Sequence, residues 1–354
     1  MRELILHHVT PGSSHGEKTQ LMLGYKGLEW RSVSIPPFMP RPLLTPVLTG
    51  GYRKTPVLQI GADIYCDTRC IARLLDRLKP DPPLFTDDTP GLCELIACWV
   101  EPRWFFNAAA LARFQRPQDA FILGKGVNPL RFALDRARLL RKTGAGIFSA
   151  LFLEPYARDQ LRGLCAFLES LLGDRDFVGG NRPSIADFSA YHPLWMLQQP
   201  PEISGVRFGP RILAWMDRVA AIGHGRSTPM DAREALEIAH QSESTTKPYQ
   251  DVEEPAGRQL GVLVSVAPDD YGKDRTVGEL VVSSLHEVAV RRRDPRVGEV
   301  VIHFPRIGFQ VLPVGGRLAR LRRFAREAVP AVAQARRSEV EAAPSIPRGG
   351  GRGS

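Results

Sequence analysis

The chain of 354 residues has few cysteines and no long apolar run. Its five cysteines are odd in number, and no pair has Cys-x-x-Cys spacing. These absences argue against a disulfide framework, a structural zinc site and a dithiol redox motif. No run of about 18 apolar residues occurs, so the sequence predicts no membrane span. The first residues turn polar too early for a secretory signal, and we expect a reduced, cytoplasmic protein.

The positive charge is concentrated at the C-terminal end. The formal net charge is +9, of which residues 317–354 contribute +6 from nine Arg and three Glu. Arginines in residues 317–326 recur about once per helical turn, which predicts a basic helix followed by a disordered tail. Two interpretations of this segment stay open: a solvated helix, or a site for an anionic partner such as nucleic acid or a membrane surface.

Residues 1–80 have the pattern of a small α/β domain. A strand, a helix and a second strand are followed by a proline-rich loop, a hairpin over residues 57–65 and a helix from Asp67. The apolar residues of this last helix recur at helical spacing, which predicts one buried stripe. They are Ile71, Leu74, Leu75 and Leu78.

Residues 91–240 show helical periodicity only, and they predict an all-helical domain. Ser184-Ile185-Ala186-Asp187 has the capping-box pattern, in which a serine caps the helix and an acid three positions later reaches back. Phe177 and Phe188 flank it as a hydrophobic staple would. We expect this motif to support the fold and to take no part in chemistry.

The pattern changes to alternation after residue 250. Five short apolar-polar segments separated by turn residues predict strands. Residues 250–316 are therefore expected to form a small all-β domain, a barrel or a sandwich. We predict that residues 317–354 follow it as the basic helix and tail.

The stretch from Arg53 to Ile71 is the most informative part of the sequence. It predicts a strand that begins at Pro56, a tight turn, a second strand, and a helix that opens on Asp67-Thr68. A bond before proline adopts the cis form at a cost of only about 0.5–1 kcal/mol. A helix N-terminus presents free amides that suit a carboxylate. The stretch predicts either a clamp for a small acidic peptide or an ordinary hairpin followed by a capped helix.

This stretch resembles the glutathione-binding half of the glutathione S-transferase family, and the capping box resembles that of the family's helical domain. The resemblance implies a thioredoxin-like domain followed by an all-α domain. It also implies that a cis Pro56 lets the Thr55 backbone meet the cysteinyl part of glutathione. Asp67 and Thr68 would hold the γ-glutamyl end. For Lys54, just before Thr55, two interpretations stay open: a contact with the glycyl carboxylate, or a solvated lysine at the end of a strand. The family more often has Glu or Gln followed by Ser at this helix start.

The family places a hydroxyl or a reactive cysteine between its first strand and first helix. A hydrogen bond from that group favours the thiolate, which is the form of glutathione that attacks. Aligned on Glu17-Lys18, Ser13 takes the catalytic position and Ser14 is the next candidate. Compared with the family, one extra residue lies between His8 and Glu17, and this segment contains no cysteine. The alternative is that these serines only cap the helix.

The resemblance implies an enzyme in which glutathione, as co-substrate, attacks a hydrophobic electrophile, as in detoxification. It also implies a homodimer, and we expect no metal because His7, His8 and His15 lack a nearby acid or cysteine. Two alternatives keep the fold: a non-catalytic glutathione-binding protein, and an anion-binding adaptor that uses residues 317–337. The aromatic residues of the first long helix predict either core packing or a border to the electrophile pocket. They are Trp99, Trp104, Phe105 and Phe106.

Overall fold

The computed structural model describes residues 3–10, 12–85, 90–115, 128–141, 154–197, 205–251 and 258–314. Met1–Val311 form one compact unit, and a second unit begins at Leu312. The predicted basic helix and tail of residues 317–354 lie outside the described residues.

The N-terminal part has the element order that the sequence predicts. Its elements are β1 (Ile5–His8), α1 (Ser14–Tyr25), β2 (Glu29–Ser34), β3 (Val57–Ile60), β4 (Asp63–Cys66) and α2 (Thr68–Leu78). Strand β1 lies between β2, to which it is parallel, and β3, to which it is antiparallel. Strand β4 pairs antiparallel with β3. The expected thioredoxin-like domain is confirmed.

The apolar stripe of α2 is buried except at its end. Ile71 and Leu75 are fully buried and Leu74 is nearly so. Leu78 is 37% exposed, so the prediction that it belongs to the buried stripe was wrong. It is the last residue of the helix, where the chain turns away from the sheet towards exposed Lys79.

The second part is mainly helical. Its helices are α3 (Pro90–Gln115), α4 (Pro129–Leu140), α5 (Glu154–Leu172), α6 (Ile185–Trp195), α7 (Pro210–Ala220) and α8 (Ala232–His240). Strand β5 (Arg226–Pro229) lies between α7 and α8 and pairs in parallel with β2. The prediction of helices alone over residues 91–240 was therefore wrong at β5. All four residues of β5 are exposed, so no apolar pattern signalled a strand that pairs only along the edge of the sheet.

The predicted capping box is present at the start of α6. The buried Asp187 carboxylate accepts hydrogen bonds from the Ser184 backbone N–H at 2.8 Å and from its hydroxyl at 2.9 Å. It also accepts from the Val178 N–H at 2.7 Å and the Trp215 indole at 2.9 Å. Burial nevertheless raises its pKa above the usual value. One side chain thus ties the turn before α6 to α7.

The strands after residue 248 continue the N-terminal sheet. They are β6 (Tyr249–Gln250), β7 (Leu263–Pro268), β8 (Thr276–Ser283), β9 (Glu287–Asp294), β10 (Gly298–Pro305) and β11 (Phe309–Pro313), and we call them the extension. The order across the sheet is β11-β7-β8-β9-β10-β4-β3-β1-β2-β5, and β6 pairs with β8. The all-β character is confirmed, but these strands join one sheet and do not form a separate barrel or sandwich. The reason is that β4 would otherwise be an edge strand, and β10 pairs with it in parallel.

A buried carboxylate fixes the extension to the N-terminal domain. Asp63, at the start of β4, is 1% exposed and accepts hydrogen bonds from Ser244, Thr245 and Thr246 in the linker that precedes β6. Its Oδ1 lies 3.6 Å from Nε2 of His303 in β10. Burial alone would raise the pKa of Asp63, but hydrogen bonds from His303, Ser244 and Thr245 hold it well below its usual value.

His303 extends this contact into a buried ion network. Its Nδ1 lies 2.5 Å from Oε1 of Glu287, which in turn pairs with Arg77 of α2 at 2.8 Å. Its ring stacks on Tyr65 with a centroid separation of 4.3 Å. Burial opposes charge on His303, but hydrogen bonds to Asp63 and Glu287 raise its pKa above the ordinary value. At Glu287, the contacts with His303 and Arg77 outweigh burial and lower the pKa to about 2.

We expect the His303→Gln variant to be destabilised in a pH-dependent way. The stability contributed by the His303 charge is fully present below its unfolded pKa of 6.5 and is lost as pH rises through the higher folded pKa. Loss of one partner from a buried ion pair costs about 3–5 kcal/mol. Urea denaturation should therefore show a deficit of this order near about pH 5.5 and a smaller one near about pH 9.

The matched control is His240→Gln, because His240 is exposed at the end of α8. It should change the free energy of unfolding by less than about 0.5 kcal/mol at both pH values. A deficit in His303→Gln that is equally large at both pH values would contradict a charged His303.

Candidate functional site

A cavity of about 230 Å³ lies at the N-terminal end of α2. The five residues predicted to bind glutathione come together in its wall: Lys54, Thr55, Pro56, Asp67 and Thr68. The Thr55-Pro56 bond is cis, directly before β3. The hairpin of β3 and β4 therefore brings both ends of the predicted clamp to one place.

Asp67 and Thr68 form the start of α2. Asp67 has a φ of 77°, and its carboxylate accepts a hydrogen bond from the Arg69 N–H at 3.0 Å, as an N-cap does. Asn and Asp are the non-glycine residues that tolerate a positive φ best. The first turn of α2, with its free backbone amides, opens on the cavity.

Behind Thr68 lies a buried lysine that sequence reasoning used only as an alignment marker. Lys18 is fully buried, donates a hydrogen bond to the Thr68 hydroxyl at 3.0 Å, and forms an ion pair with Glu101 in the cavity wall. Burial alone would raise the pKa of Glu101, but Lys18 and His192 hold it well below its usual value. Glu101 is therefore a carboxylate, and Lys18 orients Thr68.

The two predicted catalytic serines lie at the start of α1. The Ser13 hydroxyl accepts a hydrogen bond from the Gly16 N–H at 3.0 Å, so its interpretation as a helix cap is confirmed. The Ser14 side chain is buried, and its hydroxyl has no hydrogen-bond partner among the described residues. Neither serine is among the residues that line the cavity, whereas His15 is. The catalytic role of Ser13 and Ser14 stays a prediction.

The three N-terminal histidines lie in different surroundings. The ring of His7 bonds to Gln59 at 2.8 Å and that of His8 to Ser32 at 2.9 Å, and burial lowers both pKa values to about 4. Burial, and then the nearby His192, holds the pKa of His15 well below its usual value, so His15 is neutral. Within the described ranges, no group of three or more His, Cys, Asp or Glu side chains is placed to hold a metal ion.

The aromatic residues of α3 divide between the cavity and the core. Phe105 and Phe106 line the cavity, together with Pro102. Trp104 is 1% exposed and belongs to the core, and Trp99 is 42% exposed and packs near Phe167 outside the cavity. Core packing is thus confirmed for Trp104, whereas a border to an electrophile pocket stays a prediction for Phe105 and Phe106.

The extension supplies a further part of the cavity wall. The segment after β7 contributes Asp269, Asp270 and Tyr271, and the turn between β10 and β11 contributes Ile307, Gly308 and Phe309. The Nζ of Lys54 lies 2.5 Å from Oδ1 of Asp270 and 3.9 Å from the ring centroid of Tyr271. Arg69 of α2 donates to the Ile307 carbonyl at 2.9 Å. Nothing in the local pattern of residues 53–71 signals these partners.

Two phenol groups also line the cavity, and sequence reasoning missed both. Tyr52 is 2% exposed, and Tyr271 packs against Phe106 with a centroid separation of 4.9 Å. Burial, together with nearby carboxylates, raises both pKa values well above the usual range. Both phenols are therefore protonated, and each can donate a hydrogen bond into the cavity.

Cys98 of α3 is the thiol that lines the cavity. It is half-buried, and its Sγ accepts a hydrogen bond from Nη1 of Arg69 at 3.1 Å. The other cysteines are buried away from it: Cys66, Cys70, Cys93 and Cys165.

The fold and the cavity define a class of protein: a thioredoxin-like domain followed by a helical domain, with a cavity at the first turn of α2. Two family models match the chain: "Glutathione S-transferase, N-terminal domain" over residues 6–83 and "Glutathione S-transferase, C-terminal domain" over residues 108–218. The chain belongs to the glutathione S-transferase family.

Individual relatives agree with this assignment. The chain is 36% identical to a GST-like protein from Pseudomonas syringae of known crystal structure, over 88% of this chain and 99% of that one, with a TM-score of 0.65. It is also 28% identical over 192 residues to FtsZ-localized protein A of Caulobacter vibrioides, which covers 53% of this chain and 74% of that protein. A match over 88% of the chain extends past both family models, so the Pseudomonas protein shares part of the extension. In the described residues, no helix has the length and apolar character needed to cross a membrane.

We expect Cys98 to be the fast-reacting thiol of the native protein. It is more accessible than the buried cysteines, so a thiol reagent reaches it first. Titration with a chromogenic disulfide should release about one equivalent quickly per chain. The Cys98→Ser variant should lack this phase and Cys165→Ser should keep it. A fast phase that persists in Cys98→Ser would contradict the assignment.

Proposed function

We propose that this protein binds glutathione in the cavity and transfers its thiolate to a hydrophobic electrophile. The observation that carries the proposal is the convergence of Thr55, cis Pro56, Asp67 and Thr68 around the first turn of α2. A helix N-terminus beside a carboxylate suits an amino acid end, which has both an ammonium and a carboxylate group.

In the bound state the Asp67 carboxylate takes the ammonium of the γ-glutamyl end. The free amides of α2 and the Thr68 hydroxyl take its carboxylate. The backbone of Thr55 hydrogen-bonds the cysteinyl part and directs the sulfur towards the start of α1. Lys18 supports this arrangement because it fixes Thr68 from behind at 3.0 Å.

The chemical step is the attack of a thiolate. The thiol first gives its proton to water, and the sulfur then forms a bond to the electrophilic carbon as the leaving group departs with its electron pair. Ser13 is our first choice for the hydrogen bond that favours the thiolate, and Ser14 is the second. Ser13 accepts from the Gly16 N–H, which leaves its own hydroxyl proton available to donate.

Three phenylalanines of the cavity wall suit an apolar co-substrate. Phe105 is half-buried, and Phe106 and Phe309 are 4% and 8% exposed. Burying apolar surface of the electrophile against them contributes about 25 cal/mol per Å². Pairing as a homodimer and a role in detoxification remain predictions from the resemblance, and a cytoplasmic location remains a prediction from the cysteine content and the N-terminal residues.

The second candidate is a non-catalytic glutathione-binding protein. It is favoured by the position of Ser13 and Ser14, which are not among the residues that line the cavity. The further alternative of an anion-binding adaptor rests on residues 317–337, which lie outside the described residues.

We expect Asp67→Asn to weaken glutathione binding by at least about tenfold, because a hydrogen bond to a charged group contributes about 1.5–3 kcal/mol. Asn caps a helix as well as Asp does and tolerates a positive φ, so α2 should remain intact. Isothermal titration calorimetry with glutathione measures the change. The matched control is Asp231→Asn, which changes the N-cap of α8 outside the cavity and should leave the affinity unchanged. Equal affinity in wild type and Asp67→Asn would contradict this site.

We expect the ultraviolet difference spectrum of bound glutathione to show thiolate at neutral pH in the wild type. Ser13→Gly should reduce that band, since it removes the hydroxyl and costs only a few tenths of a kcal/mol as a helix cap. Ser14→Ala tests the second candidate in the same way. Binding by calorimetry without a thiolate band in the wild type would refute the transferase proposal and support the binding protein.

A further inference from the structure

The lysine that should meet the far end of glutathione already has an anionic partner. Lys54 pairs with Asp270 at 2.5 Å, and its side chain is only 11% exposed. The ring of Tyr271 lies over the same ammonium at 3.9 Å. Both partners come from the segment that follows β7, so the extension supplies the negative charge next to Lys54.

The second cation of the cavity wall is also engaged. Arg69 lies 3.5 Å from the Asp67 carboxylate, donates to the Ile307 carbonyl at 2.9 Å, and donates to Cys98 at 3.1 Å. Outside the wall, Arg53 and Arg136 both pair with Asp135. Among the described residues, the two cations that line the cavity each have a carboxylate partner from the same wall.

The carboxylates outnumber these cations. Asp67, Glu101, Asp269 and Asp270 line the cavity beside Lys54 and Arg69. Lys18 compensates Glu101 from behind the wall, which leaves Asp269 as a further negative charge next to Asp270. A ligand carboxylate placed beside Lys54 would meet the like charges of Asp269 and Asp270. Both cations that line the cavity already have carboxylate partners. Like charges placed together in a partly buried site disfavour the anionic form.

Backbone contacts fix the segment that carries Asp270. The Asp269 N–H donates to the Gly308 carbonyl at 3.0 Å, and the Gly272 N–H donates to the Leu139 carbonyl at 2.9 Å. Gly272 has a φ of +59°, and a Cβ there would lie 2.9 Å from the Leu139 side chain. Asp270 is thus held on both sides, and its contact with Lys54 is part of a constrained turn.

We propose that the site selects a γ-glutamyl-cysteinyl peptide whose C-terminal end has no negative charge, because Asp270 of the extension already neutralises Lys54. Such peptides include an amide, an ester or an amine-linked conjugate of glutathione. The proposal rests on the proposed function, since it assumes that the γ-glutamyl end lies at Asp67. In this proposal, Asp270 determines which charge the site accepts at the C-terminal end of the peptide. The neutral or cationic end of the peptide lies against Asp270 and Asp269, where free glutathione would place its glycyl carboxylate.

Calorimetric titration of the full chain with two ligands tests this. The ligands are S-methylglutathione and its glycine amide, which differ only in the terminal charge and cannot oxidise to a disulfide. We expect the wild type to bind the amide at least about tenfold more tightly than the acid, a ratio that corresponds to 1.4 kcal/mol. In Asp270→Asn, affinity for the acid should rise because Lys54 becomes available, and the ratio should fall to about one.

The matched control is Asp274→Asn, an acid of the same loop that is 51% exposed and does not line the cavity. It should keep the wild-type ratio. A wild type that binds the acid as tightly as the amide would overturn the proposal and leave the proposed function standing. So would an Asp270→Asn variant with an unchanged ratio. Absence of binding for both ligands would overturn the proposed function and this inference together.

Discussion

The buried carboxylate of Asp63 is the contact on which the rest of the arrangement depends. It lies at the first residue of β4 and holds both the linker before β6 and the histidine of β10. Because β10 pairs with β4 in register from Val301 to His303, the turn that follows β10 reaches the first turn of α2, where the Ile307 carbonyl accepts a hydrogen bond from Arg69. An unpaired buried carboxylate is costly, so these partners must be present together. The position of the cavity wall follows from that requirement.

What could be predicted from the sequence was local. Pro56 at a strand start, a capping acid at Asp67 and the box at Ser184 each work through neighbours within a few residues, and each is present as expected. Apolar alternation likewise located β7 to β11 to within a few residues, but it did not predict the two-residue β6. It could not show which edge they join, because alternation marks a face and carries no information about the partner strand. Asp63 looked like an ordinary residue of a hairpin turn.

The candidate site shows the same limit. Residues 54–56 and 67–68 are close in sequence to the turn that brings them together, so their convergence was predictable. Lys18, Tyr52 and Cys98 gave no local signal, since a buried lysine or a thiol in a helix becomes meaningful only through long-range contacts. The serines were assigned from an alignment with one extra residue. The structure assigns Ser13 to the helix cap and places His15 in the cavity wall.

The ion pair between Lys54 and Asp270 joins residues that are 216 positions apart. During synthesis, every residue of the family's binding motif therefore leaves the ribosome long before the segment that completes the wall. Until β10 has been made, β4 is an unpaired edge able to pair with a strand of another chain. The growing polypeptide passes through a stage at which it holds the motif without the charge balance of the finished pocket.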